Sequence, residues 1–156
     1  MASELMLIKR HGTLQPMTDD DAQIIAGMQS GEVFRMRYQK PRNYKYLQKY
    51  FVLVNDVLFE LWNPPAVSHN GTEAVKNRER FRKDLLIATG HYEVVVNIKN
   101  ECRAEAKSIS FAGLDEAGFD KIYRLTISYA LQKIINDKTH SYETIDNWVN
   151  QIIDFA

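Results

Sequence analysis

Four bases and four aromatic rings share the twelve residues KPRNYKYLQKYF: Lys40, Arg42, Lys45 and Lys49 alternate with Tyr44, Tyr46, Tyr50 and Phe51. Ammonium and guanidinium groups neutralise phosphates, and aromatic faces stack on unpaired bases. Together these are the chemistry of single-stranded nucleic-acid binding. Just upstream, EVFRMRYQ puts Arg35 and Arg37 on one face of an alternating pattern. Lys45 and Lys49 lie four apart, on one side of a helix whose first N–H groups also attract anions. The expected nucleic-acid-binding set is therefore Arg35, Arg37, Lys40, Arg42, Tyr44, Lys45, Tyr46 and Lys49. A second run, Lys76, Arg78, Arg80, Arg82 and Lys83, encloses only Glu79 and forms a secondary basic patch. The plain alternative for any such run is a solvated face.

Cations at a helix start oppose the partial positive charge that aligned peptide dipoles leave there. Something must offset that cost: an acidic neighbour in the fold, an acidic partner protein, or a phosphate. Net charge is zero, with 20 bases and 20 acids, which by itself speaks against a nucleic-acid binder. The distribution is uneven, however. Residues 33–107 hold 14 Lys and Arg against 8 Asp and Glu, and the flanks hold 6 against 12. Between Glu32 and Asp56 there are six bases and no acid. Binding depends on the local field of a patch rather than on the total.

Other chemistry finds no constellation. Asp19, Asp20 and Asp21, and then Asp115, Glu116 and Asp120, stand at helix starts, where carboxylates are favoured by the dipole alone. His11, His69, His91 and His140 are isolated, and no zinc-ligand spacing occurs. SHN at 68–70 resembles a His-Asn nuclease site but lacks a second histidine and a carboxylate partner. Cys102, the single cysteine, has no adjacent histidine and reads as a small strand hydrophobe. Neither common glycine-rich phosphate loop is present. No catalytic residue, metal or cofactor is expected. An uncharacterised nuclease stays as the third reading, behind nucleic-acid binding and a protein–protein module.

A chain of 156 residues with 45% apolar and 26% charged residues fits one soluble domain, 1–156, with a real core. One cysteine suits a reducing cytosol. No signal-peptide pattern or membrane-length apolar run is seen, so a cytoplasmic protein with no membrane partner is expected. The sequon Asn70-Gly71-Thr72 then carries no glycosylation meaning.

The elements that must position these residues follow from periodicity. ELMLIK (4–9) predicts a strand. Thr18 caps a short helix that stops at Gly31. Residues 32–39 predict a half-buried strand with a basic outer face, ended by Pro41. Asn43 caps a helix from Tyr44 to Trp62, with Leu47, Phe51, Val54, Leu58 and Leu61 on a wide apolar stripe and Lys45, Lys49, Asp56 and Glu60 on the wet edge. NPPAVSHNG (63–71) is a loop, and Thr72 caps the next helix, which closes at Gly90. HYEVVVN and CRAEAKSISFA are two strands, followed by helices from Asp115 to about Asn136 and from Ser141 to Phe155. The class is α+β: a small, mostly antiparallel sheet of about four strands packed with four to five helices.

KPRNYKYLQKYFVLVNDVLFELW resembles the central segment of an uncharacterised family of lambdoid phage and prophage proteins, the domain of unknown function DUF1367. The shared pattern falls on Arg42, Asn43, Lys49, Phe51, Leu53, Asn55 and Trp62. GHYEVVVN, KSISFAGLDEAGFDKIYR and the final IIDFA resemble its second half, so the likeness spans most of the chain. The loop at 63–75 is shorter than the insertion many members carry. Family members sit among phage replication and recombination genes. A narrower resemblance, at Arg42, Gln48 and Lys49, runs to the lambda-type recombination mediators known as Orf or NinB. Those bind single-stranded DNA and the host single-strand-binding protein as dimers. The resemblances imply a non-enzymatic accessory of phage replication or recombination, in the bacterial host cytoplasm, that contacts single-stranded DNA and is a possible homodimer. A phage inhibitor of a host or defence complex is the alternative, with the basic patch meeting an acidic protein.

Overall fold

A computed structural model describes residues 4–38, 44–109 and 114–155, with Phe155 described in its backbone only. The described chain falls into two compact units, one up to Lys40 and one from Pro41 to Phe155. The first holds a hairpin of β1 (Leu7–Arg10) and β2 (Thr13–Pro16), then α1 (Asp19–Ala26). His11 and Gly12 turn the hairpin with φ of 49° and 81°. Asp21 binds the unit together, and it is buried there. Its Oδ2 accepts from the Thr18 amide at 3.0 Å while its Oδ1 accepts from the Met6 amide at 2.8 Å. Thr18 Oγ1 accepts from the Asp21 amide in return, which completes a capping box. Asp21, one of the helix-start acids, thus has a structural role, through hydrogen bonds to the hairpin and to the cap.

The expected strand over 32–39 is a correction. Residues 32–38 form no strand and every one is exposed; Gln39 lies outside the described residues. The alternation is real, but a strand exists only where a neighbouring backbone completes its hydrogen bonds. No described segment pairs with this one.

The second unit is built round one helical rod: α2 (Tyr44–Val52), a π-helical turn (Leu53–Leu58) and α3 (Phe59–Leu61). The rod occupies the expected interval; its Asn43 cap lies outside the described residues. The π turn is fixed by the Phe59 amide donating to Val54 O, five residues back. From Tyr50 to Phe59 only Asp56 escapes full burial. A wider turn seats more side chains per revolution, which suits a segment apolar on all sides.

After the rod, β3 (Ser68–His69) and β4 (Thr72–Glu73) pair across Asn70-Gly71, whose φ values of 50° and 79° define the left-handed geometry that Asn-Gly favours. This hairpin takes Thr72 away from its expected capping role. Asn77 caps α4 (Arg78–Ala88) instead, accepting from the Arg80 amide at 2.8 Å, so Lys76 lies before the helix. Gly90, at φ 88°, ends α4 as expected: the Gly90 amide bonds Ile87 O and the His91 amide bonds Leu86 O.

β5 (Tyr92–Val96) pairs antiparallel with β6 (Cys102–Ala106). The expected continuation of the second strand past Ala106 is not strand through Ile109, and 110–112 lie outside the described residues. Asp115 caps α5 (Glu116–Lys133), accepting from the Gly118 amide, and α6 (Tyr142–Phe155) closes the chain. α2 packs on α5 and α6, the π turn on α6 and α4, and α4 on α5 and β6. The class is α+β, with antiparallel strands that divide into three separate two-stranded sheets.

Phe51 is 2% exposed and Leu58 is 0% exposed. Phe51→Ala or Leu58→Ala is predicted to cost about 2–5 kcal/mol, since each leaves a cavity the rod cannot collapse into. Urea denaturation measures it, and wild-type stability in both variants would disprove the central role of the rod.

Candidate nucleic-acid interface

The first-unit members of the basic–aromatic set sit on the exposed run 32–38. Arg35 and Arg37 are exposed, make no ion pair with a described residue, and alternate in the sequence with Phe34 and Tyr38, which are 44% and 94% exposed. Lys40 and Arg42 lie outside the described residues.

In the second unit, Tyr44 and Tyr46 are half-buried and Lys45 is exposed on the first turns of α2. Lys49 is not an open phosphate ligand. Its Nζ lies 2.9 Å from Asp146 Oδ1 on α6 and 4.7 Å from the centre of the Tyr123 ring on α5. The Tyr123 hydroxyl donates to the same Asp146 oxygen at 2.6 Å. One carboxylate therefore collects a cation and a phenol from two other helices. Burial acts to raise the Asp146 carboxyl, but the Tyr123 hydrogen bond and Lys49 outweigh it and hold the group below the usual carboxylate range. Burial, and then the neighbouring Asp146 charge, pushes the Tyr123 phenol well above its ordinary value. Of the three offsets for a cation near a helix start, the fold supplies the acidic neighbour for Lys49.

The secondary patch is bound up in the same way. Lys76 Nζ donates to Phe59 O at 2.7 Å, satisfying a carbonyl at the end of the rod, and sits 4.4 Å from the Phe59 ring centre. Arg78 pairs with Glu60 at 2.6 Å and also lies over Phe59, at 4.6 Å. Arg80 pairs with Asp84 and Lys83 with Glu79, each one helical turn away. Arg82 lies 5.2 Å from the centre of the Phe51 ring. Trp62, beside them, is already stacked on Phe81 at 4.9 Å. Lys76, Arg78 and Arg82 lie against the aromatic core, while Arg80 and Lys83 are paired with acids on the outer surface of α4. Sequence reasoning missed Asp146 and Tyr123, because nothing local to either marks it as a partner of Lys49.

Elsewhere the isolated polar residues have neighbours of their own. His140 packs edge-on against Trp148 at 5.1 Å, and Asp120 pairs with Arg124 at 2.8 Å. Among the described residues no three His, Cys, Asp or Glu side chains gather closely enough to hold a metal ion. No helix among them is long and apolar enough to cross a membrane.

An α+β chain whose second unit is built on a rod buried through its middle, with basic–aromatic sequence on both sides of its start, is the class that fold and site define. Residues 1–69 and 66–155 match in turn the family described as "Protein of unknown function (DUF1367)", and the chain belongs to that family. It matches no curated protein and no solved structure.

In the Lys49–Asp146–Tyr123 cluster the lysine lies in the last turn of α2, where its charge meets a carboxylate beyond the helix start. Lys49→Gln is predicted to lower stability by about 0.5–1 kcal/mol, the scale of a partly exposed pair. Asp146 titrates near 3.9 when unfolded, so its contribution is whole above about pH 4 and is lost as pH falls toward its depressed folded value. Asp146→Asn should therefore flatten the acid limb of stability against pH. Equal or higher stability in Lys49→Gln would mean that relief of the helix dipole outweighs the ion pair.

Proposed function

We propose that this protein is a phage-encoded, non-enzymatic accessory of replication or recombination that binds single-stranded DNA in the bacterial host cytoplasm. The observation that carries the reading is the run 32–38, exposed throughout and outside any described strand or helix, with Arg35 and Arg37 set between Phe34 and Tyr38. Exposed cations with interleaved rings suit a flexible anionic strand whose bases are free to stack. A duplex offers no such access to its bases. In the second unit Lys45 is a further exposed cation, whereas Lys49 and the 76–83 run serve the fold first. The resemblance of Arg42, Gln48 and Lys49 to the lambda-type mediators supports the same class, with a host single-strand-binding protein as a further partner.

A second reading rests on the same run. Backbone with no strand partner among the described residues can add to the open sheet edge of another protein. With Arg35 and Arg37 on it, that protein would be acidic, as for an inhibitor of a host or defence complex.

Fluorescence anisotropy with a labelled oligonucleotide at several salt concentrations distinguishes the two. Arg35→Gln with Arg37→Gln should weaken single-stranded DNA binding and flatten the salt slope by about 0.7 per lost phosphate contact. Affinity and slope unchanged in this double variant, or no binding by the wild type at low salt, would defeat the DNA reading.

A further inference from the structure

The β3–β4 hairpin turns on the one place in the sequence where asparagine precedes glycine, Asn70-Gly71. Its ladder closes on His69 and Thr72, so the peptide between Asn70 and Gly71 stands outside the paired strands. The Gly71 amide donates to no described atom. Nothing lies within 4 Å of where a Cβ would stand on Gly71, and residues 63–75 are exposed throughout. Glycine therefore leaves this backbone nitrogen open to approach.

His69 stands beside the asparagine side chain. Its Nε2 lies 3.3 Å from Asn70 Nδ2, which donates to it in the tautomer that leaves Nε2 bare. The ring is thus set against the nitrogen of the carboxamide, the atom that departs when an asparagine cyclises.

The geometry points to a self-modifying site: Asn70 closes onto the Gly71 amide and loses its side-chain nitrogen as ammonia, with His69 as proton donor to that nitrogen. A bond forms between Gly71 N and Asn70 Cγ, and the Gly71 amide proton passes to solvent. The Cγ–Nδ2 bond then breaks. Nδ2 keeps its own two protons and takes one more from the protonated imidazole, which regains a proton from solvent. The products are ammonia and a cyclic imide. Water then opens the imide at Cγ, giving aspartate, or at the backbone carbonyl, giving isoaspartate. No oxidant or reductant is consumed. The SHN motif at 68–70 thus directs its chemistry at its own backbone rather than at a phosphodiester.

Asn100 is the internal contrast. It is exposed, and its φ of 63° resembles the 50° of Asn70. Glu101 follows it, however, and the Glu101 amide is held by Asn97 Oδ1 at 3.0 Å. The nitrogen that would attack Asn100 is occupied, whereas that of Gly71 is open. Either product at residue 70 places a carboxylate where an amide stood. Isoaspartate also lengthens the backbone inside a turn whose geometry is set by its residue count. The reaction needs no nucleic acid and stands apart from the run 32–38.

Ageing the purified full chain in neutral buffer tests it, with peptide mass spectrometry and isoaspartyl methyltransferase labelling as readouts. The wild type should lose the Asn70 amide over days and accumulate isoaspartate there, while the Asn100 amide persists and the helical circular-dichroism spectrum is unchanged. His69→Gln, a change at an exposed position, should slow the loss several-fold in the folded chain. In guanidinium chloride, where the hairpin no longer holds the ring against the amide, the variant and the wild type should react alike. Equal survival of the Asn70 and Asn100 amides overturns the proposal. So does a folded His69→Gln that reacts as fast as the wild type, or one slowed equally in the folded and unfolded chain.

Discussion

The second unit depends on a helix that has no wet side over its middle. Most helices in small proteins bury a stripe and leave the opposite face in water. Here Leu53, Val54, Val57 and Leu58 are all buried in one π turn, as are Tyr50 and Phe51 before it. A segment so apolar is stable only when neighbours surround it, and α4, α5 and α6 do so. The buried polar groups follow from the same enclosure. Thr126, fully buried on α5, donates to Ile122 O in its own helix at 2.7 Å. The Tyr50 hydroxyl beside it is buried without a hydrogen bond of its own, and burial raises its pKa.

Once the rod is enclosed, the charges near it acquire structural work. A lysine beside buried rings must lead its ammonium out to water or to a carboxylate, because an unpaired charge is costly away from solvent. Lys49 reaches Asp146, and Lys76 reaches the carbonyl of Phe59. A run of bases in the sequence is therefore not yet a binding surface. Its members divide between those the fold neutralises and those it leaves exposed. Arg35, Arg37 and Lys45 belong to the second group.

Two segments keep apolar side chains wet: the run 32–38 and the β5–β6 face. Both have strand periodicity, and both lack what a strand ordinarily gains. The first has no backbone partner among the described residues. The second has its backbone partner and lacks a covering layer among the described residues. Apolar surface left open in this way is where contacts beyond the chain are to be sought.

The sequence by itself determined the local features. Thr18 as a cap, Gly90 as a stop, the strands HYEVVVN and CRAEAKSISFA (the second ending early, at Ala106), and the extent of the rod from Tyr44 could all be read. Each depends on dihedral preference, capping or periodicity within a few residues. Asn70-Gly71 set a hairpin turn, though its consequence for Thr72 was not drawn from the pattern. What only the tertiary structure decided was pairing between distant positions. No period in the sequence joins Lys49 to Asp146 and Tyr123, or shows that EVFRMRY finds no strand to lie against among the described residues. The π turn likewise emerged from enclosure on all sides, which a stripe of apolar residues suggests but does not specify. Local chemistry fixes what a segment prefers. Which cations stay exposed, and which strands are paired, depends on what the rest of the chain brings beside them.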